Sequence, residues 1–221
     1  MNELTVLLPA YNEEKTIGLV IDEIRSYLPN VEIIVVDNNS TDDTKKVLVD
    51  KKANWILFEK KQGKGHAFKK GLEKVETPFA AMIDADYTYP ALYLPLVFEL
   101  LKYYDVVMGY RTWKQQGSMS KLNAFGNYLL SRLASILFMH RTWDLCTGMW
   151  GFKKSMLDKF NITSSGFALE ADFFSNAKRL KCRIVQIPID YRKRPDESTA
   201  KLKVWDGFKI AWFLIKRRFS K

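Results

Sequence analysis

Asp84 and Asp86 stand one residue apart at the end of an apolar run, Phe79-Ala80-Ala81-Met82-Ile83. Two carboxylates separated by a small residue can share one divalent cation, directly or with one of them acting through ribose or water. Hard oxygen ligands favour Mg2+ or Mn2+, which complete their shells with substrate phosphates. Such an ion neutralises a diphosphate leaving group, so metal ligation is assigned to Asp84 and Asp86. An isolated Asp-x-Asp also fits a turn; its place at the end of a strand gives it weight. Asp37 ends a second apolar run and can accept hydrogen bonds from a base or ribose. Lys64, flanked by Gly63 and Gly65, is a cation on a flexible loop suited to phosphate, although a surface turn explains that tripeptide equally well. Arg111 follows a third run. Glu170 is the best candidate base if a hydroxyl must be deprotonated, and a helix-start carboxylate beside the dipole accounts for it as readily.

These residues need a scaffold, and the hydrophobic pattern supplies one. Residues 4–8 read as a buried strand ended by Pro9, and residues 14–28 carry Ile17, Val20, Ile21, Ile24 and Leu28 at helical spacing. Residues 32–37 form a β-branched strand buried on both faces. Ser40-Thr41-Asp42-Asp43 caps a helix running to about Val49. Strands follow over 55–58, 79–84 and 105–109, with helices over 65–75 and 91–102. This alternation predicts an α/β fold, a mostly parallel sheet flanked by helices on both faces. Ligands in such sheets bind beyond the carboxyl ends of the strands. Tyr11-Asn12-Glu13, Asp37-Asn38-Asn39, Asp84-Ala85-Asp86 and Arg111 all collect there. Caps or turns explain one or two of these groups, hardly all four. The second half is less regular, with helices over 123–140 and 170–180, strands over 150–152 and 183–189, and an amphipathic segment over 205–216.

A chain of 221 residues fits one compact domain, and its 47% apolar and 27% charged residues are an ordinary soluble profile. The net charge of +10 favours anionic partners: phosphorylated substrates or anionic lipid. Nucleic acid is set aside because no module for it appears. Cys146 and Cys182 show neither metal spacing nor a paired framework and no signal precedes the first strand, so the expected location is the reducing cytoplasm. No apolar run approaches the roughly 20 residues that span a bilayer. Residues 128–138 and 205–219 are apolar on one side with basic flanks. The first is expected to pack on the sheet. The second, ending in Lys216-Arg217-Arg218, is expected to lie on the cytoplasmic face of a membrane, attracted to anionic lipid.

Taken together, Pro9-Ala10-Tyr11-Asn12-Glu13-Glu14, Val36-Asp37-Asn38-Asn39-Ser40-Thr41-Asp42, Gly63-Lys64-Gly65 and Asp84-Ala85-Asp86 resemble the inverting family-2 glycosyltransferases of GT-A fold, in order and spacing. Further motifs are similar to the polyprenyl-phosphate sugar synthases, the dolichyl-phosphate mannose or glucose synthases. They are Gly109-Tyr110-Arg111, Asp144-Leu145-Cys146-Thr147-Gly148, Phe167-Ala168-Leu169-Glu170 and Ile187-Pro188-Ile189-Asp190-Tyr191-Arg192-Lys193-Arg194. The resemblance implies a metal-dependent hexosyltransferase that takes a sugar from UDP or GDP and places it on a polyprenyl phosphate. Pro9, Tyr11, Glu13, Asp37, Asn39, Lys64, Asp84 and Ala85 would bind the nucleotide-sugar, and Asp86 the metal. Arg111, Lys121, Arg192 and Arg194 would bind the acceptor phosphate, with Asp86, Arg111, Arg194 and Glu170 catalytic. The expected layout is a transferase domain over 1–195, split into a nucleotide half (1–112) and an acceptor half (113–195). A lid loop and interfacial helix follow over 196–221, a surface that leaves room for a membrane-protein partner. Three departures stand out: Thr88 occupies a position where the mannose synthases commonly carry a metal-binding Gln, Lys121 stands near a common Arg, and residues 195–201 replace a shorter loop. A lipid phosphate arrives anionic and needs no base, whereas a glycan hydroxyl does. Transfer to such a hydroxyl is therefore the alternative reading. A sugar nucleotidyltransferase would need a glycine-rich phosphate loop where Tyr11-Asn12-Glu13 stands, and a non-catalytic binding module would not need the Asp84/Asp86 pair with Arg111.

Overall fold

The computed structural model describes residues 3–195 and 204–220. The order is β1 (Leu4–Ala10), α1 (Ile17–Tyr27), β2 (Glu32–Asp37), α2 (Thr44–Asp50), β3 (Trp55–Phe58), α3 (Lys64–Leu72) and β4 (Phe79–Met82). A short 3-10 turn, Ala91–Tyr93, leads into α4 (Leu94–Leu101) and β5 (Val106–Lys114). Then come α5 (Lys121–Leu137), β6 (Trp150–Lys153), α6 (Lys154–Leu157), α7 (Leu169–Arg179), β7 (Ile184–Tyr191) and α8 (Val204–Phe219). The seven strands form one sheet in the order β3-β2-β1-β4-β6-β5-β7. Only β6 runs against its neighbours.

Both faces of the sheet are covered, which is why its strands are continuous apolar runs. Alternate side chains of β1 go to opposite layers. Val6 and Leu8 join Ile17, Ile21 and Ile24 of α1 and Leu94, Val97 and Leu101 of α4. Leu7 joins Phe68 of α3, Phe173 and Phe174 of α7, and Ile210 and Leu214 of α8. Burying such side chains contributes roughly 1.5–3 kcal/mol each.

Several strands differ from their predicted extents. β1 runs through Pro9, which pairs with Val36 of β2 but lies past the last residue paired with β4, Leu7. The missing N–H of proline therefore breaks no ladder on that side. β5 extends to Lys114 because β7 continues to pair with it after β6 has ended. Arg111 thus lies within β5 rather than after it. β4, by contrast, ends at Met82, which leaves Asp84 and Asp86 in the following loop. The sheet order reverses direction between β1 and β4, the switch point where ligands settle in open α/β sheets. Tyr11 to Glu13 and Asp84 to Asp86 follow those two strands.

Candidate active site

Each carboxylate after β4 meets a cation. Lys64 Nζ lies 2.5 Å from Asp84 Oδ1 and 2.5 Å from Glu170 Oε1. Arg194 reaches Asp86 Oδ2 at 2.5 Å and stands 3.8 Å from Glu13 Oε1. Asp86 is further oriented by Thr88, whose N–H and hydroxyl donate to its Oδ1 at 3.1 and 2.5 Å. At the position of the first departure from the mannose synthases, a threonine clamps the acid in place. Gly148 is required beside Asp84, because a Cβ there would fall 2.1 Å from Asp84 Oδ2.

The Lys64 turn is fixed from two sides. Asn38 donates to the carbonyls of Glu59 and Lys61 and accepts from Gly63 N–H at 2.7 Å. Gly65 N–H donates to the Ser165 carbonyl at 3.1 Å. Gly63 has φ of +134°, and a Cβ there would meet the Ser165 carbonyl oxygen at 2.0 Å, so only glycine fits. Burial alone would lower Lys64, but Asp84 and Glu170 outweigh it and hold the ammonium above its ordinary range. Burial pushes Glu170 up, Lys64 opposes and Asp84 adds to the rise, and the net direction is upward. Glu170 is thus first of all the counter-ion of Lys64.

Arg111 sits in a second buried pair. Its Nε and Nη2 donate to the two oxygens of Asp144 at 2.6 and 2.7 Å, and Nη2 also donates to the Cys146 carbonyl. Asn127 of α5 donates to Asp144 at 2.8 Å, and Arg111 lies over the Tyr191 ring. Burial works to raise Asp144, but the Arg111 guanidinium and these hydrogen bonds hold it below the usual carboxylate range. Burial pushes the Cys146 thiol up to about 12, so it is protonated at neutral pH and no nucleophile.

The other expected residues are placed as follows. Asp37 is buried at the end of β2 and accepts from Ser40 N–H at 3.0 Å, closing the turn that carries Asn39 at φ +63°. Ala85 is buried, while Pro9 and Tyr11 are half-buried beside β1's end. Arg192 is committed to Glu23 of α1 through two bonds of 2.9 and 2.8 Å and lies over the Tyr87 ring. Lys121 is exposed at the start of α5. Residues 196–201 of the expected lid loop lie outside the described residues. Asn38, Asp144 and Gly148 stand inside the quoted motifs, yet their roles as clamps emerge only from the contacts.

As to metal, among the described residues no three His, Cys, Asp or Glu side chains converge. Asp84 and Asp86 by themselves would offer an ion few ligands, which would fit one that takes the rest of its shell from a diphosphate. Both already carry a cation partner, so the local charge fits a site where positive charge is exchanged rather than added.

A doubly wound sheet with carboxylates and cations at its switch point is the arrangement in which α/β proteins bind their ligands. Residues 5–160 match the model of the family "Glycosyl transferase family 2", and the chain belongs to that family of glycosyltransferases. It is 32% identical over 199 residues to a dolichyl-phosphate hexose transferase of Haloferax volcanii, covering 89% of this chain and 86% of the relative. It is 29% identical over 216 residues to the glycosyltransferase AglJ of the same organism, covering 96% of this chain and 71% of the relative. Glucosyl-3-phosphoglycerate synthase from Mycobacterium tuberculosis, crystallised with Mn2+ and UDP-glucose, superposes with a TM-score of 0.74. The identity is 22%, and the match covers 98% of this chain and 79% of that one, which shows the shared GT-A fold.

Proposed function

We propose that this protein moves a hexose from a UDP- or GDP-sugar to a polyprenyl (dolichyl) phosphate, with inversion, at the cytoplasmic surface of a membrane. The observation that carries this reading is the pairing of five acids around the site with three cations. Asp84 and Glu170 share Lys64, Asp86 and Glu13 share Arg194, and Asp144 holds Arg111. A phosphate acceptor brings its own negative charge and asks for cations and positioning, not for a free base. The name of the Haloferax volcanii relative supports the same acceptor class.

In this reading Asp37 and Glu13 receive the nucleoside and Lys64 the donor's diphosphate. Arg111, Arg194 and Lys121 serve the acceptor phosphate and the departing diphosphate, while Arg192, expected to join them, is held by Glu23. Asp86, with Asp84, would hold Mg2+ or Mn2+, which when bound supplies charge neutralisation for the leaving group. Lys64 and Arg194, held beside Asp84 and Asp86, would orient the diphosphate and counter the negative charge that develops on it. In-line attack by the lipid phosphate on the anomeric carbon breaks the bond to the diphosphate and inverts the centre.

The membrane part of the proposal rests on α8. Ile210 and Leu214 face the domain, while Trp205, Phe208, Trp212, Ile215 and Phe219 form an exposed stripe at helical spacing on the other side. Neighbouring α5 exposes Leu122, Phe125, Leu129 and Ile136. No helix among the described residues is long and apolar enough to cross a membrane. A stripe of this kind suits the interface.

A small phosphorylated acceptor is the second reading, favoured by the fold neighbour whose crystals contain phosphoglyceric acid. The test uses radiolabelled UDP- and GDP-hexoses with Mn2+ or Mg2+ and a short polyprenyl phosphate. Label in the organic phase, with the anomeric configuration opposite to that of the donor, supports the proposal. Label confined to the aqueous phase rejects it.

A further inference from the structure

Arg217 of α8 is a buried cation far along the chain from the donor residues. It donates from Nη2 to Asp172 Oδ1 at 2.7 Å and to the Asn161 carbonyl at 2.5 Å. Its Nε is buried with no hydrogen-bond partner among the described residues. Asp172 of α7 is 0% exposed. Its Oδ2 accepts the backbone N–H groups of Thr163 and Ser164 at 2.7 and 2.8 Å, and its Oδ1 accepts Asn176 Nδ2 at 2.8 Å. The Asp172 carboxylate thereby holds the loop whose next carbonyl, that of Ser165, receives Gly65 N–H. The same loop closes on the turn so tightly that a Cβ on Gly65 would fall 2.2 Å from the Ser164 carbonyl oxygen.

The contacts therefore form one chain: Arg217, Asp172, the 163–165 loop, the Gly63-Lys64-Gly65 turn, and Lys64 against Asp84 and Glu170. We propose that Arg217 and Asp172 are positioning residues for Lys64, so that the seating of α8 sets the geometry of the donor site. The physical reason is charge. Asp172 is a buried anion whose compensating cation is Arg217, and a buried anion left alone relaxes, by taking a proton or by moving toward water. Either change loosens its hold on the two loop amides, and the loop then no longer pins the Lys64 turn. Because α8 also bears the exposed aromatic stripe, whatever occupies that stripe acts on a helix tied to the donor residues. Coupling of this kind runs through contiguous packed and hydrogen-bonded groups and must be measured as a coupling.

The functional consequence rests on the donor reading of the Lys64 site, so the test carries one readout that needs no ligand. Amide hydrogen exchange is followed in peptides covering residues 62–68 and 161–166, and binding of UDP and GDP with Mn2+ is measured by calorimetry. The proteins are wild type, Arg217→Leu, Arg217→Lys and Ile210→Ala. Ile210→Ala removes a buried apolar anchor of the same helix without touching the ion pair. In Arg217→Leu, exchange at Gly65, Thr163 and Ser164 should accelerate by about tenfold or more. The affinity for the nucleotide that the wild type binds should fall by about fivefold. Arg217→Lys keeps the charge and should lie between, while Ile210→Ala should stay within about twofold of wild type in both readouts. Unchanged exchange in Arg217→Leu, or equal loosening in Ile210→Ala, overturns the coupling. Should Arg217→Leu fail to fold, the comparison of Arg217→Lys with Ile210→Ala decides. Faster exchange at the three amides in the lysine variant supports the proposal, and equal or slower exchange overturns it. A wild type that binds neither nucleotide sinks the donor reading, while the exchange data still decide the coupling.

Discussion

The two halves of the molecule hold their functional groups in different ways. Before β5, restraint runs mostly through backbone N–H groups: Asp37 is bonded to Ser40, Asp86 to Thr88, and Asn38 to Gly63. From β5 onward, side chains distant in sequence meet as buried ion pairs: Arg111 with Asp144, and Asp172 with Arg217. Lys64–Glu170 and Arg194–Asp86 stitch the halves together. A locally bonded acid that loses one contact keeps others or gains water. A buried ion pair that loses one member strands a charge, so the second region is the more fragile.

The sharpest test of that contrast is Asp144→Ala, which leaves Arg111 buried without its carboxylate. It should destabilise the fold by about 3–5 kcal/mol in urea unfolding. A loss under 1 kcal/mol would erase the distinction between the halves. On the nucleotide side, Gly63→Ala forces a side chain into φ +134° against the Ser165 carbonyl. It should cost about 1–3 kcal/mol and lower nucleotide affinity, since the same turn carries Lys64.

Acidity separates the halves again. Asp144 is held below its ordinary value of 3.8 by Arg111 and its hydrogen bonds, which prevail over burial. A depressed carboxyl contributes stability that is present above 3.8 and is lost as pH falls through the lower folded value. The stability gap between wild type and Asp144→Asn should therefore be full at neutral pH and shrink below 3.8. A gap independent of pH would remove the ion pair from the account. The smallest effect on the fold is expected at the exposed stripe. Trp212→Glu should change stability by no more than about 0.5 kcal/mol, because Trp212 is 68% exposed. Its binding to anionic vesicles in flotation should weaken by about tenfold.

These contrasts also explain what could be read from the sequence. The strands of the first half were legible because both sheet faces are covered and each strand is an unbroken apolar run. Asp84, Asp86, Lys64 and Asp37 were legible because each sits just past such a run or between glycines. The extents of β1 and β5 were not, since they depend on where a neighbouring strand stops pairing. The run Arg192-Lys193-Arg194 reads as one basic patch. Pairing with Glu23 and Asp86 sends its two arginines to different acids. The Asp172–Arg217 link was invisible, because nothing local to either residue signals a partner 45 positions away. The pairing of Glu170 with Lys64 was likewise hidden. As the counter-ion of Lys64 it will affect activity with either kind of acceptor, so its substitution alone does not tell phosphate from hydroxyl.

The most direct measurement is therefore a competition between acceptors. Equal concentrations of a polyprenyl phosphate and 3-phosphoglycerate are offered with the labelled donor and Mn2+, to wild type and to Asp86→Ala. Label should enter the lipid phase, fail to form when the metal is chelated, and fall by about a hundredfold in Asp86→Ala. Label appearing in the aqueous phosphorylated product instead, or undiminished in Asp86→Ala, would contradict the account.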